Sequence, residues 1–306
     1  MSLFKVGGRG LAGIGKARYI SCTSSTSASR IPLTVLKHYE TYKPSTQRAY
    51  TSMASETNGQ ANGYTNGNMH PHIKLYTNHR CPFAHRAHIA LEELGLPFEE
   101  VIIDLNTPRP QWYLDINPRG LVPSIKYSNG VLEEEVITES AIVSQFLCDE
   151  RPSHLLPASK SSPTAALERA RITFFYDTWN TKIQGAMYDV LKADGKEKAE
   201  KTDAWAAAIE KEIEPLLADA NPFYGGSKEL TFAEVIVAPF LIRFYALSKD
   251  GEMLSSSFVE RLEKLPNFGK WAKAVCERPS VLKIWDEKEV VENTKSRIKR
   301  MKEAAK

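Results

Sequence analysis

The sequence predicts an α/β layer followed by an all-helical region. Three observations carry this. From His72, strand-like and helix-like patterns alternate as β-α-β-α-β-β-α over roughly eighty residues. After Pro157 only helical periodicity continues. The first seventy residues carry neither pattern, and their composition differs from the rest.

The elements follow in order. Residues 73–76 alternate apolar and polar side chains like a short strand. Asn78-His79-Arg80-Cys81-Pro82-Phe83 then leads into a helix. Ala87, Ala90, Leu91 and Leu94 share one face of it, and Gly95 stands where a C-terminal cap belongs. Residues 98–103 are rich in β-branched side chains and predict a second strand. A short helix suits 110–116, and a third strand, interrupted by Pro123, suits 121–127. Asn129-Gly130 predicts a two-residue hairpin turn returning into a fourth strand over 131–137. Residues 138–148 read as a helix ending before Arg151-Pro152. Four helical stretches follow, at 164–193, 196–219, 231–248 and 256–303. Thr231-Phe232-Ala233-Glu234 has capping-box spacing at the head of an apolar helix, a structural device. The expected organisation is therefore 72–152 for the α/β part and 163–303 for the helical part.

The chain has 306 residues and a formal net charge of +3. That charge is unevenly placed. Residues 1–52 hold eight Lys/Arg against the single acid Glu40, a net of +7, and the remainder is −4. The compact part is mildly acidic, which argues against a nucleic-acid binder. No apolar run approaches the ~20 residues of a spanning helix, so integral membrane association is not expected. Four cysteines at wide, irregular spacing (Cys22, Cys81, Cys148, Cys276) predict neither a disulfide framework nor a metal site.

An Arg- and Ser-rich, acid-poor 1–52 has the composition of an organelle transit peptide, so a mitochondrial address is expected. The plain alternative is a disordered tail. Residues 53–71 repeat Asn-Gly at 58–59, 62–63 and 66–67 and predict a flexible linker. Met53 would serve as an alternative start for a cytoplasmic form.

Cys81 is the residue placed for chemistry. It follows a strand and immediately precedes a helix whose first residue, Pro82, lacks the N–H that would have had no partner there. A thiol at a helix start faces free N–H groups and the positive end of the dipole, which favour the thiolate. Arg80 and Arg86 add positive potential. Cys148 lies within the apolar face of a helix, and it and Cys276 are expected to be inert. Position 84 is Ala, so no second cysteine is available to resolve a mixed disulfide, and an external thiol is needed. His85, four residues on, is expected at the surface.

Residues 76–86 (YTNHRCPFAHR), 117–124 (NPRGLVPS) and Glu139-Ser140 together resemble a cysteine-type glutathione S-transferase, of the omega class or its fungal omega-like relatives. The resemblance covers about 72–300 and includes residues 230–244 (LTFAEVIVAPFLIRF). It implies a thioredoxin-like N-terminal domain, an all-α C-terminal domain, glutathione as cosubstrate with no metal, and a homodimer. Cys81 matches the residue that forms a mixed disulfide with glutathione, and Phe83 lines the same site. Val122 precedes a Pro123 that is cis in the family, and its backbone pairs with glutathione like an added strand. Glu139 and Ser140 match the pair holding the γ-glutamyl end. Arg109 falls where the family often places a cation for the glycyl carboxylate. Phe174, Phe175, Tyr176 and Trp179 lie on the helix that borders the electrophile site in the family, core packing being the alternative. His85 departs from the omega pattern and resembles the glutathionyl-hydroquinone reductases. The implied activities are thiol transfer, reductive deglutathionylation and dehydroascorbate reduction. Conjugation of glutathione to an electrophile, or a non-catalytic regulatory role on the same fold, are the alternatives.

Overall fold

The computed structural model describes residues 70–249 and 251–304. The expectations for 1–52, and for 53–71 apart from His70 and Pro71, lie outside the described residues. The α/β layer contains strand β1 (His72–Thr77), helix α1 (Pro82–Leu94), β2 (Glu99–Ile102), α2 (Gln111–Ile116), β3 (Ser124–Ser128), β4 (Glu135–Thr138) and α3 (Ser140–Glu150). The sheet order is β2-β1-β3-β4, with β1 parallel to β2 and antiparallel to β3, and β3 antiparallel to β4. This is the thioredoxin-like arrangement.

Strand alternation gives the sheet two different faces. Ile73 and Leu75 point to α1 and α3 and join the main core with Ala87, Ala90, Leu91, Val143 and Leu147. Tyr76 points the other way, into a small cluster with Ala84, Ile103, Tyr113 and Val122. The second cluster is the floor on which the site is built.

The helical part contains α4 (Ala165–Thr178), α5 (Gln184–Lys192), α6 (Gly195–Glu212), α7 (Phe232–Ser248), α8 (Ser256–Glu263), α9 (Phe268–Cys276), α10 (Pro279–Leu282) and α11 (Glu287–Ala304). Helix α7 is its axis and is buried along nearly its whole length. It starts with the expected capping box. Thr231 N donates to Glu234 Oε2 at 2.8 Å, and the Thr231 side chain accepts from the first turn. Glu234 also accepts from the Trp271 indole N–H at 2.7 Å and from Tyr224 N at 2.8 Å, so the cap doubles as a buried tie between α7 and α9. The two layers share one core: Phe83 of α1 packs edge-on against Phe240 of α7 at 5.5 Å.

Four expectations are corrected. The Asn129-Gly130 turn is not a two-residue hairpin, because β3 and β4 pair only as far as Tyr127 with Glu135. Asn129 Oδ1 instead accepts from the N–H groups of Val131 and Leu132, closing a local side-chain turn that competes with the ladder. The expected helix over 164–193 is broken by a π-helical turn at Trp179–Ile183, and that over 256–303 is four helices. His85 is fully buried, not at the surface. It stacks on Trp285 and its Nε2 lies 2.9 Å from Val281 O. Burial, followed by the charge of Arg243, holds its imidazole well below the ordinary range, so it is neutral.

Candidate active site

The start of α1, the loop before β3 and the start of α3 converge on one cleft of about 490 Å³. Cys81, Phe83, Arg109, Val122, Pro123, Glu139 and Ser140 all line it. The cleft is thus where chain topology brings together residues spread over nearly sixty positions of sequence.

Each wall has a local cause. Cys81 is the N-cap residue of α1, extended at φ −83°, ψ 119°, and its side chain makes no cap hydrogen bond. The backbone is tied instead: Cys81 N donates to Asn78 O at 3.0 Å, and Asn78 Nδ2 donates to Ile103 O at 2.9 Å. The thiol is therefore held by its backbone while its sulfur is half-exposed to the cleft, with Val122 O at 3.9 Å. Cys148 is buried, and Cys276 is half-buried like Cys81 but lies at the end of α9, outside the cleft. Burial pushes each of their thiols up to about 12, so they behave as small hydrophobes.

The Val122-Pro123 peptide is cis, as the resemblance implies. Pairing of β3 with β1 begins only at Ser124 with Tyr76, so Val122 lies outside the ladder at the cleft wall. The loop is set by Tyr113, whose hydroxyl donates to Leu121 O at 2.6 Å and lies 3.0 Å from Ser124 Oγ. Asn117 Nδ2 donates to the same Leu121 carbonyl at 2.8 Å. Gly120 has φ +61°, and a Cβ there would meet Arg109 Cγ at 3.0 Å and Leu114 Cδ2 at 3.2 Å. Glycine is required on both counts.

At the start of α3, Glu139 has φ 70°, a sparsely populated backbone region for a side-chain-bearing residue. Its carboxylate is held by Arg119 Nη1 at the surface. Ser140 is buried, and its Oγ accepts from Arg86 Nη1 at 3.1 Å. Neither α1 nor α3 has a side chain capping its first turn, unlike α7. Two uncapped helix starts therefore meet at one cleft, which suits a thiolate and a carboxylate.

Sequence reasoning gave Arg86 only a diffuse role, and the structure gives it a specific one. Arg86 is a buried guanidinium that donates to Ile236 O at 2.8 Å, Ser140 Oγ, Asn180 Oδ1 at 3.1 Å and Gln184 Oε1 at 2.8 Å. It also lies over the rings of Phe83 and Phe240. Burial pushes it down to about 9, with the neighbouring Cys81 acting in the opposite direction. Arg243 is a second cation beneath the site, pushed down by burial to about 10 and likewise raised by Cys81. Arg243 Nη2 donates to Arg80 O at 3.1 Å, next to the thiol. Both stay protonated at neutral pH.

Two site expectations change. Arg109 lines the cleft, but its Nε donates to Gly120 O at 3.0 Å and its Nη1 to the carbonyls of Asp104 and Thr107 at 2.6 Å each. Only Nη2 is left, so Arg109 is first a clamp on its own loop, with one nitrogen remaining toward the cleft. None of Phe174, Phe175, Tyr176 and Trp179 lines the Cys81 cleft. Phe175 and Trp179 are fully buried against Trp271 and Phe244, and Tyr176 packs on Phe232. Phe174 is exposed and borders a separate hollow beside Pro215 and Tyr224. Phe175, Tyr176 and Trp179 thus pack in or against the bundle core, and periodicity alone does not separate that from a ligand wall. The far wall is instead Tyr188 of α5 and Asn293, Arg297 and Arg300 of α11. Their signal was a spacing of four and three residues on one helix face, in a stretch that otherwise reads as solvated charge.

A thioredoxin-like sheet layer and an all-helical layer sharing a cleft at the start of α1 define the glutathione transferase class of fold. Comparison with known proteins agrees. The family described as glutathione S-transferase, N-terminal domain, matches residues 80–150. Glutathione S-transferase DHAR2 of Arabidopsis thaliana is 29% identical over 215 residues, covering 69% of this chain and 86% of the relative. The crystal structure of glutathione transferase Omega 2C from Trametes versicolor is 30% identical with a TM-score of 0.63, covering 74% of this chain and 99% of that one. Rice GST1 in complex with glutathione is 25% identical with a TM-score of 0.64, covering 76% and 98%. The chain belongs to the glutathione transferases as an omega-like member. It is a glutathione S-transferase enzyme.

Proposed function

We propose that the protein catalyses glutathione-dependent thiol transfer and reductive deglutathionylation through Cys81, with glutathione as cosubstrate. The observation that carries this is the half-exposed thiol at the uncapped start of α1, facing a cleft with the Arg86 and Arg243 cations beneath it. In the first step the Cys81 thiolate attacks the glutathione sulfur of a mixed disulfide. A Cys81–glutathione disulfide forms, the original S–S bond breaks, and the partner leaves as a thiolate that takes a proton from solvent. A second glutathione thiolate then attacks the glutathione sulfur bound to Cys81, giving glutathione disulfide and restoring the Cys81 thiolate. No described cysteine other than Cys81 lines the cleft, so the external thiol does the resolving. Bound glutathione would lie along Val122, with its γ-glutamyl carboxylate at Ser140 and the start of α3. Dehydroascorbate reduction would use the same thiol.

The test compares wild type with Cys81→Ala and Cys81→Ser on a glutathione mixed disulfide and on an aromatic electrophile. Loss of thiol transfer by at least about a thousandfold in Cys81→Ala is expected. Full deglutathionylation by that variant would overturn the assignment. A Cys81→Ser enzyme that gains conjugation would show that the cleft also supports glutathione itself as nucleophile, the alternative chemistry. We also propose mitochondrial import through residues 1–52 and a homodimeric state. A cytoplasmic 1–52 reporter fusion would remove the first, and a monomeric mass by light scattering the second.

A further inference from the structure

The cleft is more cationic than one glutathione needs. Four arginines line it (Arg80, Arg109, Arg297 and Arg300) against one acid, Glu139, whose charge is met by Arg119. On the sheet side the cations are occupied. Arg109 clamps three carbonyls, and Arg80 holds Asn78 and faces Glu289. On the helical side they are not. Arg297 and Arg300 are exposed, and among the described residues neither has a carboxylate partner. Arg297 lies over the Tyr188 ring at 5.3 Å, and Arg300 makes a single long contact, 3.4 Å, to Asn106 Oδ1. Two lysines of the same helix are paired, Lys302 with Asp194 and Lys295 with Glu252. Helix α11 thus directs two unneutralised guanidinium groups into the cleft, one of them steadied on an aromatic face. A guanidinium in that setting recognises a planar or tetrahedral oxyanion.

We propose that Arg297 and Arg300 form a subsite for an anionic group on the second substrate, so that the enzyme prefers leaving thiols that carry a carboxylate or sulfonate. The proposal rests on the thiol-transfer reading above. The first glutathione occupies the sheet wall, and the group being released faces α11. A negative charge on that group meets two cations across the cleft. A neutral or positive one does not.

The test uses three mixed disulfides of glutathione with thiols of matched length: 2-mercaptoethanesulfonate, 2-mercaptoethanol and cysteamine. For the wild type, kcat/KM should fall in that order, with about a tenfold advantage of sulfonate over alcohol at low ionic strength, shrinking as salt is raised. Arg297→Gln/Arg300→Gln should bring the three substrates to within about twofold of one another. Arg297→Lys/Arg300→Lys, which keeps the charge, should retain the order. Equal kcat/KM for the three in wild type would overturn the proposal. So would a Gln variant that raises the KM for glutathione while preserving the order, since the arginines would then belong to the first glutathione. The salt series needs no variant, so a misfolded mutant does not block the test. Calorimetric binding of the same probes to Cys81→Ser keeps this test separate from that of the nucleophile. An intact binding order there, with full turnover by Cys81→Ala, would preserve the subsite and remove the mechanism.

Discussion

The two ends of helix α1 are built on opposite principles. Its start is left open: Cys81 caps nothing with its side chain, Pro82 has no N–H to offer, and the first turn faces a cleft. Its end is closed. Gly95 turns left-handed at φ 60°, its N–H returns to Glu92 O, and Leu96 N bonds Leu91 O. Glu93 just before it is locked to Arg278, Ser280 and His154. One helix therefore separates an open end from an anchored one by about four turns, and the open end can be left unsatisfied because the other is not. The sharpest way to break this comparison is thiol labelling. Cys81 should react with iodoacetamide at pH 7.5 at least about a thousandfold faster than Cys148 or Cys276, whose thiols are pushed up to about 12 by burial. Peptide mapping after a time course measures it, and comparable rates would show that the start of α1 is not special.

The next largest effect is expected at Arg86, which joins the open end to the helical layer. Arg86→Met removes donors from Ile236 O, Ser140 Oγ, Asn180 and Gln184 and leaves the first two buried without that donor. The expected cost is about 3 kcal/mol in urea unfolding, with a weaker grip on glutathione because Ser140 loses its anchor. Arg86→Lys should recover only part of this, since an ammonium cannot reach four acceptors in a plane. An unchanged unfolding midpoint would mean that the two layers are held by apolar packing alone.

These two ends were not equally legible in the sequence. Cys81-Pro82 after a strand, Gly95 after an apolar stripe and Thr231 with Glu234 are short-range patterns whose physics acts within one turn, and each stands where the sequence reading puts it. The β4 boundary was misread because Asn129 prefers its own backbone to the ladder, a competition that residue type alone does not decide. Of the rings at 174–179, Phe175, Tyr176 and Trp179 take the core-packing alternative, because a helix phase says which residues share a face, not what that face meets. His85 and Arg86 were illegible for a further reason. Both are polar side chains hydrogen-bonded to residues 54 to 196 positions away, and apart from the Ser140 hydroxyl their partners are carbonyls and amides with no sequence signature.

At the closed end, a pH experiment separates anchorage from chemistry. Burial alone would push Glu93 up, but hydrogen bonds from Arg278 and Ser280, the charge of Arg278 and a hydrogen bond from His154 outweigh it and hold the carboxyl below its ordinary range. A depressed carboxyl contributes stability that is fully present above its unfolded value and is lost as pH falls through its folded value. Glu93→Gln should therefore cost about 2 kcal/mol at pH 7, with the gap to wild type closing below about pH 4. A pH-independent difference would mean that the tie between α1 and α10 is packing, not charge.

The smallest effect expected is at Gly95. A Cβ added there meets nothing within 4 Å, so Gly95→Ala tests backbone conformation without a clash. The left-handed φ of 60° should cost about 1 kcal/mol, read as a small drop in thermal midpoint. Gly120→Ala has the same φ, but its Cβ would press on Arg109 and Leu114, so it should cost more and should also disturb the loop that sets Val122 at the cleft. The pair distinguishes the two ends by their consequences. If Gly95→Ala lowers stability while leaving thiol transfer intact, and Gly120→Ala lowers both, then the anchored end of the helix carries energy and the loop facing its open end carries geometry. If Gly95→Ala alters turnover as well, the two ends are coupled along α1, and the separation between them fails.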